Sequence, residues 1–353
     1  MSGAPPGLRV SIIVPVLNEE ATIVALLDAI RRQTYPSHLM EVILADGGSR
    51  DRTIEHLRRE AERHPSPRLT VVENPAGSIP AGLNRAVAHA TGDLIVRLDA
   101  HSEPAPDYVE RCVEGLVSGR GDNVGGCWEI RPLRPGAMPQ AIAFAAAHPL
   151  GAGDARYRTG GRAGCVDTVP YGAFSRWTLD AVGPFDERLQ ANEDYDWNAR
   201  LRAAGGLVWF DPRIRCVYRP RDSLRALARQ YFRYGFWKVR MLRRQPRTLR
   251  WRQAAPPAML LTVALLGAIA PRRRPARHAL ACLLALYGGA LMTAAHAADR
   301  ATGNRAVAAL VPLALTTMHG MWAAGFLWSA GREGLIARAG RRRPRRAPPR
   351  SST

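Results

Sequence analysis

The pattern of apolar and polar positions changes twice along this chain. Over the first 130 residues, short β-branched runs alternate with segments whose apolar residues recur at helical spacing. Val10–Val16, Glu41–Ala45, Leu69–Val72 and Asp93–Leu98 read as strands. Glu19–Arg32, apolar at 23, 26, 27 and 30, reads as a helix, as do Asp51–Arg63 and Pro80–Ala90. This alternation predicts an α/β domain with a largely parallel sheet. From 124 to 220 the strands shorten to Val124–Ile130, Asp167–Phe174, Leu207–Phe210 and Arg215–Tyr218. They surround a segment, 131–166, rich in Gly, Pro and Arg and without periodicity. A helix over Glu193–Ala204 stops at Gly205-Gly206.

Beyond residue 221 the pattern is of another kind. Residues 222–244 read as a basic amphipathic helix, with Arg225, Arg229, Arg233 and Arg240 at helical spacing and Leu224, Leu227, Tyr231 and Trp237 mostly elsewhere on the wheel. Its aromatic content predicts a helix lying on anionic lipid. Three uncharged apolar runs follow: Gln253–Ala270, His278–Ala298 and Ala306–Ala330. The last two, with 21 and 25 residues, are long enough to span. In the first, only 14 residues lie between Pro256 and Pro271. That is about 21 Å of helix, short of a bilayer core of roughly 30 Å.

Charge sharpens the division. The formal net charge is +20, yet residues 1–220 hold 25 arginines against 27 acids. Residues 221–353 hold 24 arginines and the single lysine, Lys238, against 3 acids. Positive charge flanking apolar runs points to membrane lipids as partners, and the near-neutral first part speaks against nucleic acid. The 271–277 connection carries four arginines and no acid, and the 332–353 tail carries eight arginines against Glu333. Both belong on the cytoplasmic side, which predicts two full spans and one re-entrant or interfacial segment. The expected organisation is a catalytic domain over 1–220, an interfacial helix region over 221–252, a membrane region over 253–331 and a disordered basic tail over 332–353. Five scattered cysteines without a CxxC argue against a disulfide framework or zinc site and fit a reducing compartment. The first seven residues show no signal-peptide pattern, so the catalytic half is expected to face the cytoplasm.

The chemistry concentrates where predicted strands end. Leu94-Ile-Val-Arg-Leu-Asp99-Ala-His101 finishes a buried strand with two metal-ligand residue types one residue apart. Side chains at i and i+2 point the same way on an extended chain, so Asp99 and His101 are candidate ligands for one divalent cation. In open α/β sheets, ligands bind at this end of the strands. Glu19 and Asp46 also follow strands, and with Asp99 they predict one acidic cleft. The bland readings are a loop cap, a surface histidine and a simple turn. Asn192-Glu193-Asp194-Tyr-Asp196-Trp197 opens a helix, where acids serve either as dipole partners or, at Asp194, as a general base. Gln230 and Arg233 share a helix face that suits a diphosphate.

Residues 9–220 resemble an inverting glycosyltransferase of family 2 with the GT-A fold, a nucleotide-diphospho-sugar transferase of Rossmann-like α/β class. The resemblance is carried by VSIIVPVLNEE (10–20), ADGGSRDRT (45–53), GDLIVRLDAH (92–101), GAF (172–174), NEDYDWNARL (192–201) and the variant QYFRY (230–234). Within that family, IPAGLNRAVAHATGD, LDAH and YGFWK look most like the succinoglycan-biosynthesis type of membrane glucosyltransferase. The resemblance implies that Pro15, Glu19, Asp46 and Asp99 contact a UDP-sugar, Glu19 and Asp46 at its uridine. Asp99 and His101 would hold the metal, Mn²⁺ or Mg²⁺; Asp194 would be the base, and Gln230, Arg233 and Trp197 would serve the diphosphate or the acceptor. Two departures from the family pattern are His101, where many relatives have Asp, and Tyr234 in place of Trp. The implied reaction is a single displacement onto a lipid-linked or polysaccharide acceptor, with Arg156, Arg158 and Arg162 as candidate phosphate grips. The rival readings are a polyprenyl-phosphate sugar synthase, a processive polysaccharide synthase and a non-catalytic basic membrane-binding protein.

Overall fold

The computed structural model describes residues 7–341. The β-branched runs do become strands: β1, β2 and β4 are buried on both faces of the sheet, and β3 is its partly exposed edge. The first half runs β1 (Val10–Val16), α1 (Ile23–Arg31), β2 (Met40–Asp46), α2 (Thr53–Arg63), β3 (Arg68–Glu73), α3 (Ile79–His89), β4 (Leu94–Arg97), β5 (Glu103–Pro104), α4 (Tyr108–Val117) and β6 (Asn123–Ile130). Then come α5 (Ala137–Ala147), α6 (Pro149–Ala152), α7 (Arg156–Thr159), β7 (Gly164–Cys165), β8 (Ala173–Ser175), α8 (Arg176–Val182), α9 (Glu193–Ala203) and β9 (Val208–Tyr218). The C-terminal part is helical: α10 (Leu224–Leu242), α11 (Trp251–Ile269), α12 (Arg274–Thr302) and α13 (Arg305–Arg341).

The nine strands form one sheet in the order β3-β2-β1-β4-β8-β6-β9-β5, with β7 also paired to β9. β3, β2, β1 and β4 are parallel, as expected. The rest is mixed: β6 and β9 pair in parallel, while β8 runs antiparallel to both β4 and β6, and β5 and β7 run antiparallel to β9. Strand β8 is far shorter than the expected Asp167–Phe174, whereas the two expected strands at 207–210 and 215–218 are one continuous β9. One face of the sheet packs on α1, α2 and α4 through Leu26, Ile30, Leu57, Val109 and Val113. The other packs on α3, α8 and α9 through Leu83, Ala86, Leu179, Trp197 and Leu201. The chain reverses its direction across the sheet between β1 and β4, so their carboxyl ends open side by side into a crevice.

The aperiodic segment 131–166 contains three helices. Its longest, α5, is AMPQAIAFAAA, apolar nearly all round, and so leaves no amphipathic signature in sequence. It is covered on the far side: Ala141, Ile142 and Ala145 pack with Leu227 of α10 and with Val311, Leu315 and Met318 of α13. Helix α10 also departs from expectation. Its apolar face is buried on α13 instead of lying on lipid. A Cβ placed on Gly235 would meet the Trp322 carbonyl oxygen at 2.2 Å, and one on Gly325 would meet that of Phe232 at 2.1 Å. The two helix backbones touch at these glycines, which is the contact that small residues permit.

Helices α11, α12 and α13 are each long and apolar enough to cross a membrane. The first differs from the sequence reading. It starts at Trp251 and carries Pro256 and Pro257 inside it, giving 19 residues, or about 28 Å of helix. The 14-residue premise for a segment too short to span therefore does not hold. Helix α13 continues to Arg341, so the expected disordered tail is helical over its first ten residues, and 342–353 lie outside the described residues.

Candidate active site

The loops after β1, β2 and β4 are tied together before any ligand is considered. Asn18 takes a left-handed conformation, φ 54°. Its backbone N–H donates to Ser49 Oγ at 2.9 Å, and its Oδ1 accepts from the Arg50 N–H at 2.8 Å. Glu19 N–H donates to Thr53 Oγ1 at 2.8 Å. These contacts fix Glu19 beside the end of β4, where His101 Nδ1 lies 3.3 Å from Glu19 Oε1.

Glu19, Asp99 and His101 form one end of a cavity of about 1230 Å³. Its middle is lined by Glu193, Asp194, Arg158, Gln230 and Arg233, and its far end by Met259 of α11, Leu283 and Tyr287 of α12, and Met318, His319 and Trp322 of α13. The far end is pinned: His319 hydrogen-bonds Tyr287 Oη at 2.9 Å through Nδ1 and the Leu150 carbonyl at 2.9 Å through Nε2. One open space thus runs from the carboxylates at the sheet edge to the apolar helices.

Arg97 organises the acidic end. Its guanidinium is buried and donates to Asp99 at 3.2 Å and Glu193 at 2.9 Å. Burial opposes its charge, but Asp99, Glu193 and Asp194 together raise its pKa well above that of a free arginine. Asp194 is the opposite case. Burial and then the neighbouring Glu193 charge push its carboxyl up to about 6 against the pull of Arg97. Its only hydrogen bond among the described residues is from the Tyr195 N–H, at 2.7 Å. A carboxyl poised near neutrality and facing open space has the protonation behaviour of a general base. The hydrogen bond to Glu19, followed by the Asp99 charge, raises the His101 imidazole above its usual value. Burial would raise Glu19, but the His101 and Thr22 hydrogen bonds hold it low.

Asp99 and His101 suit a hard or borderline divalent cation. They supply two donors, and among the described residues no group of three or more His, Cys, Asp or Glu forms a closed cage. A site with two protein donors leaves the remaining positions to phosphate oxygens and water, as is usual for Mg²⁺ at a nucleotide.

Glu19, Asp99, His101, Asp194, Gln230 and Arg233 all line the cavity, as expected of a site. Three predicted residues do not. Asp46 is turned into its own loop, where it accepts from Ser49 Oγ at 2.6 Å and from the Gly48 and Ser49 N–H groups. Pro15 sits within β1 opposite Ala45 and packs toward Gly82 of α3. Trp197 is 1% exposed, wedged between Phe174 and Phe185 with its Nε1 donating to the Gly183 carbonyl at 3.0 Å. It is a core residue, and no acceptor can touch it. Of the three loop arginines, only Arg158 reaches the cavity, while Arg156 folds back on the Arg162 carbonyl.

The sequence reading named Arg158 as a candidate phosphate grip but missed the aromatic residues around it, Trp128, Tyr157 and Tyr218, which also line the cavity. The Arg158 guanidinium lies 5.2 Å from the Trp128 ring centroid, 5.6 Å from that of Tyr157 and 6.0 Å from that of Tyr218. It donates only to Tyr231 Oη, at 3.2 Å, and among the described residues it has no carboxylate partner. Trp128 and Tyr218 stack at 4.0 Å to complete the cage. Tyr171 packs against Trp128 at 5.7 Å.

The fold and crevice are those of a GT-A glycosyltransferase. A profile of Glycosyl transferase family 2 matches residues 11–176. The chain is 35% identical over 226 residues to the succinoglycan biosynthesis protein ExoA of Rhizobium meliloti (strain 1021), covering 64% of this chain and 67% of that protein. It belongs to glycosyl transferase family 2 and is a transferase enzyme. A second relative, at 24% identity over 69% of this chain and 76% of its own length, is the dolichyl N-acetyl-alpha-D-glucosaminyl phosphate 3-beta-D-2,3-diacetamido-2,3-dideoxy-beta-D-glucuronosyltransferase of Methanococcus voltae. Among solved structures, the mannosyltransferase PcManGT of Pyrobaculum calidifontis, in complex with GDP-Man and Mn²⁺, superposes with a TM-score of 0.68 at 24% identity. The match covers 94% of this chain and 89% of that one, so the likeness of fold extends into the helical C-terminal part.

Proposed function

We propose that this enzyme is an inverting hexosyltransferase that moves a hexose, glucose first among the candidates, from a UDP donor to a lipid-linked saccharide. The cavity that joins the acidic crevice to α11, α12 and α13 carries this reading. A soluble acceptor needs no passage to apolar helices, whereas a polyprenyl-type lipid does. The relatives that act in polysaccharide and lipid-linked glycan synthesis support it.

In the proposed reaction, Asp194 takes the proton from an acceptor hydroxyl. The oxygen attacks the anomeric carbon from the face opposite UDP, the carbon–oxygen bond to the diphosphate breaks, and its electron pair leaves with UDP. One attack inverts the centre, so an α-linked donor gives a β-linked product. Asp99 and His101 would hold Mn²⁺ or Mg²⁺, which supplies charge neutralisation of the leaving diphosphate. Arg233, exposed and without a partner among the described residues, lies on the cavity wall as a second counter-charge. Glu19 flanks the nucleoside, with Asp46 acting through the loop it caps. Arg158, caged by aromatic rings on the cavity wall and without a carboxylate partner among the described residues, serves the acceptor's phosphate. We place the catalytic domain on the cytoplasmic side. The arginine-rich 271–277 connection favours α11 as an interfacial or re-entrant element, because three full crossings would carry that connection outside.

The test incubates purified full-length protein with a panel of UDP-sugars and Mn²⁺, with and without membrane lipid extract. Donor turnover stimulated by the extract is the expected result, and a sugar transferred equally well to water-soluble saccharides would overturn the lipid acceptor. Loss of one charge-assisted hydrogen bond should make Arg158→Gln raise the acceptor KM by about 10–100-fold while the donor KM stays unchanged. If Asp194→Asn retains activity, the acceptor is a lipid phosphate, which needs no deprotonation, and not a sugar hydroxyl.

A further inference from the structure

Asp194 has no side-chain partner among the described residues, so the backbone of its helix turn sets where its carboxylate points. That turn is poorly secured by local means. Asn192, the residue before α9, is left-handed with φ 67° and makes no side-chain cap. Three acids, Glu193, Asp194 and Asp196, crowd the first turn. The dipole favours acids there by no more than about 1 kcal/mol each. Beyond the Arg97–Glu193 pair at 2.9 Å and the Asn192 Nδ2 bond to the Tyr234 carbonyl at 3.3 Å, something must fix how this turn sits relative to the C-terminal helices.

The next residue shows what does. Tyr195 Oη donates to Asp167 Oδ2 at 2.7 Å. The same oxygen accepts from Arg252 Nη2 at 2.7 Å and from Arg250 Nε at 3.3 Å. Arg252 is the second residue of α11, and it also pairs with Asp154. Its aliphatic stem lies in a seat made by Gly153: a Cβ there would come within 2.6 Å of the Arg252 Cβ, and φ at Gly153 is 63°. From the other side, Lys238 Nζ of α10 lies 3.7 Å above the Tyr195 ring and donates to the Thr248 carbonyl at 3.3 Å. Asp167 is 8% exposed and Lys238 is fully buried. Buried ion pairs of this kind add little net stability, and their best-attested use is to fix a geometry.

Helix α11 itself is held lightly. Most of its surface faces away from the protein, so its placement answers to whatever surrounds it. We propose that Asp167 is a latch that sets the reach of Asp194 by tying the first turn of α9 to the N-terminal arginines of the apolar helix α11. Asp167, Tyr195 and Arg252 are then positioning residues for the base. The seating of α11 in a lipid or detergent surface is thereby transmitted to the catalytic turn. This proposal rests on the reading of Asp194 as the base.

The test uses the full-length protein in lipid nanodiscs, with Arg252→Gln, Asp167→Asn, Tyr195→Phe and Arg252→Lys. Hydrogen–deuterium exchange is measured on the peptide covering 190–198. Transfer kinetics are measured on the same samples. The first two variants should speed exchange in that peptide while the β1–β4 peptides stay protected. Misplacing the base should lower kcat on the order of 10–100-fold while the donor KM holds. Arg252→Lys should recover part of the loss, and Tyr195→Phe, which removes one hydrogen bond, should fall between. Unchanged exchange in 190–198 overturns the latch, as does a kcat loss matched by an equal loss of donor affinity and a general loss of protection. A wild-type protein that transfers no sugar overturns the proposed function instead, and exchange alone then decides the latch.

Discussion

Replacing Asp194 by Asn should cripple the enzyme and steady the protein at the same time. The carboxyl is raised from 3.8 to about 6 by burial and by Glu193. An acid raised this far binds its proton more tightly when folded, so its favourable contribution is fully present below its unfolded value. It is lost as pH climbs through about 6. The difference between the two limits is about 3 kcal/mol. Asn keeps the shape and can still accept the Tyr195 N–H, but carries no charge. The variant should therefore unfold several degrees higher than wild type near pH 7.5, a gain of about 3 kcal/mol at most. The gap should narrow as pH falls below about 6 and close only below the unfolded value of 3.8, where the wild-type carboxyl is protonated whether folded or not. Sugar transfer should drop by about 10²–10⁴-fold. Thermal unfolding by intrinsic fluorescence across pH, without added cation, reads the first effect, and single-turnover transfer reads the second. A variant less stable than wild type at pH 7.5, or one with a wild-type rate on a sugar-hydroxyl acceptor, would refute the reasoning.

Two further outcomes follow from the same geometry. Because protonated imidazole cannot bind a metal and Glu19 holds the His101 imidazole above its usual value, the half-saturating Mn²⁺ concentration should fall as pH rises above the ordinary imidazole range; His101→Ala should abolish that slope and weaken cation affinity on the order of tenfold or more. Gly235→Val drives a side chain into the Trp322 carbonyl, so the junction of α10 and α13 should lose about 3 kcal/mol or more, read as a lowered unfolding midpoint. A midpoint at or above wild type would mean that the two helices are not in backbone contact.

The parts of the site that were legible in sequence are those that a single strand or helix end determines. Asp99 and His101 follow from an apolar run and a spacing of two, and Asp194 from an acid at a helix start. Arg97 was readable too, since a charge inside LIVRLDA must find a partner once buried. Other features depend on tertiary context that spacing does not encode. The GGS turn folds back and takes up the Asp46 carboxylate. Trp197, adjacent to acids in sequence, faces the core because α9 lays that side on the sheet. Arg156, Arg158 and Arg162 are equivalent in an aperiodic segment until the short α7 directs one of them inward. Helix α5 hid because an alanine-rich helix covered on several sides has no amphipathic period.

The backbone contact between Gly235 and α13, with α5 seated beside it, bears on any attempt to work with a shortened protein. A fragment ending before Trp251 would strip Ala141, Ile142 and Leu227 of their partners, leaving a sticky apolar scar that invites aggregation. It would also remove one whole wall of the reaction chamber. Bulk water would then reach the donor sugar as freely as any acceptor, and such a fragment, even if kept in solution, should behave as a wasteful hydrolase. Soluble-domain assays would therefore misjudge both the speed and the selectivity of the intact enzyme.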